Sequence, residues 1–160
     1  MKAVASIIGG AVLAAVTFPA FAAEPAYLDD RSTAAALVKS FYNAVNRHEY
    51  ARAYTYFGPN GGPKPYQIFA QGYADTQFVT VATGTAQSDG AAGSIYYTIP
   101  VAIDALSDDG HHRQFAGCYV TRLIEPGNQD PPVVPMYIDK AALHVAHGRL
   151  GNILPDCPLQ

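Results

Sequence analysis

The stretch SIYYTIPVAIDALSDDGHHRQFAGCYVTRLI, residues 94–124, decides the fold. Ile95, Tyr97, Ile99, Val101, Ile103 and Ala105 are all apolar or aromatic, whereas Ser94, Tyr96, Thr98, Pro100, Ala102 and Asp104 are mixed and more polar. A period of two, rich in β-branched and aromatic residues, marks a half-buried strand. Asp108-Asp109-Gly110 supplies a three-residue turn, with Gly110 in the left-handed position of a G1 bulge. Ser107 then sits opposite His111, and the ladder pairs Ile103 with Phe115, Ile99 with Tyr119, Tyr97 with Thr121 and Ile95 with Leu123. A one-residue slip would set Arg122 beside Tyr97 and Phe115 beside Asp104, mixing the faces, so the first register is preferred. In it, Tyr96 faces Arg122 on the outer surface as a cation–π pair. Pro100 has no ladder donor, so a bulge or an edge is expected there, bending the strand.

Upstream of the hairpin, TQFVTVATGTAQ (residues 76–87) alternates well enough for one strand, and Ser88 to Gly93 reads as a turn. Downstream, residues 125–135 hold four prolines and no periodicity, which predicts an extended loop. Met136 to Ala146 reads as a last strand with Tyr137, Ala141, Leu143 and Val145 inward. Towards the N-terminus, DDRSTAAALVKSFYNAVNRHEY carries Leu37, Val38, Phe41, Tyr42 and Val45 at helical spacing, with Asp30 or Ser32 as cap. Asn46 and Arg47 fit its end, and shorter helices are predicted over Glu49–Phe57 and Tyr66–Tyr73, separated by the loop GPNGGPKP. The expected class is α+β: N-terminal helices packed on a strongly bent, four-stranded antiparallel sheet.

The ends of the chain speak to compartment. Residues 1–22 combine Lys2, an apolar run from Ala3 to Phe18, Pro19 and the small-residue site Ala20-Phe21-Ala22, the pattern of a secretory signal. The run is broken by Gly9-Gly10 and is too short for a membrane span. Residues 23–160 then form one domain, which at this size buries roughly two-thirds of its unfolded surface. A periplasmic or secreted location follows, with no membrane span after cleavage. Cys118 and Cys157 are the two cysteines, and in an oxidising compartment they most simply form one disulfide that tethers the tail LPDCPLQ. A reactive thiol or metal pair is the alternative, without CxxC spacing to support it. The net charge of −3 and the absence of a basic patch argue against nucleic acid as a partner.

The order of three helices followed by long strands, with FYNAVNRHEYARAYTYF, DGAAGSIYYTIPVAI and FAGCYVTRL, resembles the nuclear-transport-factor-two-like (cystatin-like cone) superfamily. These phrases are similar to those of uncharacterised exported bacterial proteins of that fold. The resemblance implies a cavity between the first helix and the concave face of the sheet. Its expected lining is Phe41, Tyr42, Val45, Tyr54, Phe69, Tyr73, Tyr97, Ile99, Tyr119 and Thr121. Eleven tyrosines against no tryptophan mean that several buried hydroxyls must find partners. The rings either leave a ligand pocket or simply fill the cone. The superfamily includes isomerases, dehydratases and modules without activity, so fold alone leaves the function open.

A lyase or isomerase would need a carboxylate base and hydroxyl donors, for which Asp75 with Tyr42 and Tyr97 is the available trio. A turn or capping role for Asp75 is the plainer reading. His111-His112 beside Asp108-Asp109 would project to opposite faces and lack a third ligand, so neither a metal nor a cofactor is expected. His48 fits a capping role between helices, and His144 an exposed position. Gly61-Gly62 lacks the context of a phosphate loop and reads as a linker or as a lip of the cavity. No Gly-x-Ser-x-Gly elbow is present. The favoured expectation is an exported, non-enzymatic module binding a small apolar or amphipathic molecule or a protein partner. A small lyase or isomerase is the alternative. A dimerisation domain using Tyr96, Thr98, Val120 and Arg122 is a third reading, which would make the chain a homodimer.

Overall fold

A computed structural model describes residues 24–58, 62 and 64–159. The expected signal segment 1–22 and Gly61 of the expected lip lie outside the described residues. Three helices, α1 (Ala34–Asn46), α2 (Tyr50–Thr55) and α3 (Tyr66–Gln71), precede strands β1 (Thr76–Thr83), β2 (Gln87–Ala91), β3 (Ser94–Ser107), β4 (His112–Ile124) and β5 (Tyr137–Val145). The domain is therefore α+β, with the helices on one face of an antiparallel sheet. Its order is β1-β3-β4-β5, and β2 continues the β1 edge alongside β3. Among the described residues no helix is long and apolar enough to cross a membrane.

The hairpin has the register its side chains dictate: Ile103 opposite Phe115, Ile99 opposite Tyr119, Tyr97 opposite Thr121 and Ile95 opposite Leu123. Gly110 takes φ +82°, and the Ser107 amide donates to the His111 carbonyl at 3.0 Å. The Arg122 guanidinium lies 5.4 Å from the Tyr96 ring.

Pro100 acts otherwise than expected. It stays in register opposite Cys118, and the interruption falls on the neighbouring edge instead. The Gly84 amide donates to the Pro100 carbonyl at 2.8 Å, but proline has no N–H to return the bond. The edge strand ends at Thr83 and resumes at Gln87, so the expected single strand over residues 76–87 is split and the sheet has five strands rather than four. What read as a turn over residues 88–93 is mostly β2. The turn itself is Ala92-Gly93, both at positive φ (+49° and +75°), the type I′ pattern that suits a two-residue hairpin.

Strand β5 also departs from simple alternation. Val120 pairs with Lys140 but Thr121 pairs with Ile138, leaving Asp139 as the extra residue of a bulge. The parity change turns Ile138 inward, where it is 1% exposed, and places Tyr137 opposite Arg122, correcting the expected inward Tyr137. Val145 keeps the inner-face register opposite Phe115 yet is 64% exposed, because no helix among the described residues reaches that end. Ala141 is exposed too, and only Leu143 is half-buried among the expected inner residues of this strand.

Helix α1 begins at Ala34, one residue beyond the start that Ser32 would cap and three beyond that of Asp30. Thr33 is its cap, accepting from the Ala36 amide at 3.1 Å, while the Asp30 carboxylate accepts from the Ser32 amide and the Asp30 backbone bonds the Ser40 hydroxyl. Leu37, Val38, Phe41, Tyr42 and Val45 are all buried. At its C-terminus His48 takes φ +54°, and bonds from the His48 amide to Val45 and from the Glu49 amide to Ala44 close a Schellman motif. The Asn46 amide then docks α1 on the sheet edge: it donates to the Val79 carbonyl at 2.8 Å and accepts from the Val79 amide at 2.7 Å. Ile99, Val101, Val79, Met136 and Ile138 meet the helix stripe in the core, each large side chain contributing about 1.5–3 kcal/mol of burial.

Beyond β5 the chain makes a 3-10 turn at Leu150–Asn152 against β1 and β3, and its tail lies on the outer face. Cys157 and Cys118 are joined in disulfide geometry, their Cα atoms 5.8 Å apart. On that face Thr98 is 3% and Val120 7% exposed.

Candidate functional site

The inner face of the sheet is filled along one half and open along the other. A groove of about 640 Å³ lies between α3 and the hairpin end of β3, β4 and β5. Its walls come from Phe69 and Tyr73 on the helical side and from Val79, Ile103, Ala105, Phe115 and Leu143 on the sheet. Ile68, more than half exposed, joins them at the mouth. Lys64, Asp75 and Arg113 form a polar rim.

At the floor, the Tyr42 and Tyr119 hydroxyls meet at 2.5 Å. Their side chains lie on α1 and β4, and the residues are only 1% and 3% exposed. Burial, then the neighbouring tyrosines, drives the Tyr42 hydroxyl well above the ordinary phenol range. Burial raises Tyr119 likewise. Tyr73, beside them, is pushed up to about 12 by burial. All three are neutral hydroxyls at physiological pH, able to donate and accept hydrogen bonds but not to act as phenolate bases.

The ten residues expected to line a cavity divide between the two halves. Tyr42, Phe69, Tyr73 and Tyr119 line the groove. Phe41, Val45 and Ile99 are packed solid in the core, and the Thr121 hydroxyl is buried against the Met136 sulfur at 3.6 Å. Tyr54 packs on Phe69 with ring centroids 5.3 Å apart and donates its hydroxyl to the Lys64 carbonyl at 2.9 Å. Tyr97 is half-buried in the part of β3 flanked by β2, away from the groove. Ring filling and cavity formation thus both occur, on opposite sides of the Tyr42–Tyr119 pair.

Of the trio considered for acid–base chemistry, Asp75 and Tyr42 come to one groove and Tyr97 does not. Asp75 is exposed at the rim, and its backbone carbonyl accepts from the Asp108 amide at 3.0 Å, which ties the start of β1 to the hairpin turn. The sequence pattern neither pairs Tyr119 with Tyr42 nor marks Arg113, and it gives Asn46 only a place at the end of the first helix. Arg113 was detectable, because the predicted register places it on the same face as Phe115 and Tyr119. The tyrosine pairing was not, since the two residues are 77 positions apart and meet only through the crossing of α1 over the sheet.

The histidines go elsewhere. His112 Nδ1 lies 2.8 Å from Asp104 Oδ1, and His111 Nε2 lies 3.8 Å from Asp109 Oδ2. Burial alone would raise the Asp104 carboxyl, but hydrogen bonds from His112 and Gln114 bring it below its ordinary value. Among the described residues no three His, Cys, Asp or Glu side chains gather as a metal site.

No family model, curated protein or solved structure matches this chain. The groove's own chemistry therefore carries the functional reading.

Proposed function

We propose that the chain is an exported, non-enzymatic binding module of the cone superfamily, which holds a small apolar or amphipathic molecule in the groove between α3 and the sheet. The observation that carries this reading is a concave site of about 640 Å³, walled by aromatic and aliphatic side chains, with two buried hydroxyls at its floor. Such a ratio of apolar wall to few polar groups is what small-molecule sites present. Helices preceding long strands, with α1 against their inner face, support the cone assignment. The disulfide geometry and the signal-like N-terminus support export. The lyase alternative retains only Asp75 and Tyr42 of its trio at the groove. The dimer alternative would use an outer face on which Thr98 and Val120 are already covered.

The test uses the neutral apolar dye N-phenyl-1-naphthylamine. Its fluorescence is expected to rise saturably on mixing with the mature chain. In Ala105→Trp, which projects an indole into the groove from its wall, the rise is expected to vanish while the fold is kept. An absent rise, or one that Ala105→Trp leaves unchanged, refutes the groove as a binding site.

A further inference from the structure

We infer that the groove selects a neutral ligand carrying a carbonyl-type acceptor, such as a ketone, ester or amide, whose oxygen takes a hydrogen bond from the Tyr42–Tyr119 pair. This rests on the binding role proposed for the groove and specifies the chemistry of its occupant. Two hydroxyls carry two protons, and the bond between them uses one. Whichever tyrosine accepts from the other still has a proton to give. Among the described residues neither hydroxyl has any other partner. A buried donor without an acceptor is unfavourable, so the floor is incomplete until something supplies an oxygen or nitrogen lone pair.

The surroundings decide the charge of that acceptor. The cations lining the groove, Lys64 and Arg113, belong to exposed residues at the rim. A carboxylate or phosphate brought down to the tyrosines would lose its hydration without meeting a counter-charge, at a large desolvation cost. Burial first, and the neighbouring tyrosines after it, keep both phenols protonated. At the mouth Asp75 stands beside Arg113, with Asp108 and Asp109 on the adjoining turn, so the entrance is no anion funnel either. A neutral acceptor on an apolar body fits both the floor and the walls.

The experiment compares three competitors of N-phenyl-1-naphthylamine that share one ring system: 2-acetylnaphthalene, 2-isopropylnaphthalene and 2-naphthoate. The ketone is expected to bind about three- to tenfold more tightly than the hydrocarbon of similar size, the range of one neutral hydrogen bond. The carboxylate is expected to bind more weakly than the ketone. Because either hydroxyl can donate alone, Tyr42→Phe and Tyr119→Phe should each retain some preference, and the double variant should bind ketone and hydrocarbon equally. The carbonyl stretch of bound 2-acetylnaphthalene, expected to shift to lower frequency than in hexane, reads the same bond in the unaltered protein. Equal binding of ketone and hydrocarbon, an unshifted stretch, or a tighter carboxylate overturns this inference and leaves the groove as a binding site. Failure of the dye and of every competitor to bind overturns both.

Discussion

The Tyr42–Tyr119 contact can be weighed by a double-mutant cycle on stability. Tyr42→Phe or Tyr119→Phe alone removes one hydroxyl and leaves its partner buried without a bond. The surviving residue is 1% or 3% exposed, so the full desolvation penalty of the orphaned hydroxyl applies, about 1–3 kcal/mol. The ring contacts are preserved, including the edge-on packing of Tyr42 on Phe41 at 4.8 Å, so packing loss adds little. Replacing both hydroxyls removes donor and acceptor together, and the double variant should return to within about 1 kcal/mol of the parent. The coupling energy, the double change less the sum of the two singles, is then about −1 to −6 kcal/mol, its negative sign showing that the second substitution repairs the first. Urea unfolding followed by far-ultraviolet circular dichroism measures all four corners, and a constant m-value certifies that the unfolded state is unchanged. Single variants within about 0.5 kcal/mol of the parent, adding without coupling, would show that water already satisfies the floor. The tyrosine pair would then hold no unbonded proton for a ligand to take.

The same tyrosines set an alkaline limit: unfolded phenols ionise near 10.0, whereas Tyr42, Tyr73 and Tyr119 ionise higher when folded, with Tyr73 at about 12. The folded state therefore keeps protons that the unfolded state has lost, and urea midpoints should fall as pH rises above about 10, less steeply in the Tyr42→Phe/Tyr119→Phe variant. Asn46→Ala removes both bonds to the Val79 backbone and should cost about 1–3 kcal/mol, and Asn46→Asp, which keeps an acceptor for the Val79 amide but sets a carboxylate oxygen against the Val79 carbonyl, should cost at least as much; thermal unfolding ranks the two. Replacing both Cys118 and Cys157 by Ser opens a closure spanning 39 residues and should cost up to about 4 kcal/mol on the chain-entropy model, seen as a lower urea midpoint. The double Ser variant should still bind N-phenyl-1-naphthylamine, since the bridge lies on the outer face.

Where local pattern alone sets structure, the sequence was legible. The hairpin register needed only the alternation of Ile95 to Ala105 and a glycine at position 110, because a slip would have exposed the whole apolar set. The stripe of α1 was equally plain, since Leu37 to Val45 recur with the helical period. The split of the edge strand was not: Pro100 announces a missing donor, but which neighbour bears the consequence depends on the direction in which that residue's N and carbonyl point. Nor was the bulge at Asp139 legible, because a chain that alternates on both sides of an extra residue looks like one strand in either parity. The site was legible in kind and blurred in place. The aromatic residues of the inner face were identified, but whether a ring fills the core or walls a groove depends on where α1 crosses, which no local spacing encodes.

That crossing follows from lengths. Strand β3 has 14 residues and extends about 46 Å, while α1 has 13 residues and extends only about 20 Å. A rod of that length cannot cover the sheet face, so its two anchors decide which part stays open. Helix α1 contacts β5, and the side chain of Asn46 at its last turn holds the edge of β1 at Val79. It therefore crosses the strands rather than following them, and the corner bounded by Phe115, Leu143 and Val145 lies beyond its reach. Helix α3, of 6 residues and about 9 Å, roofs that corner only in part and turns Phe69 and Tyr73 into a wall. The groove is the area left over when one short helix spans a long hairpin, and the tyrosine pair marks the line where coverage ends. A substitution that loosens the Asn46 anchor should consequently disturb the groove as well as the fold, whereas loss of the disulfide on the opposite face should disturb the fold alone.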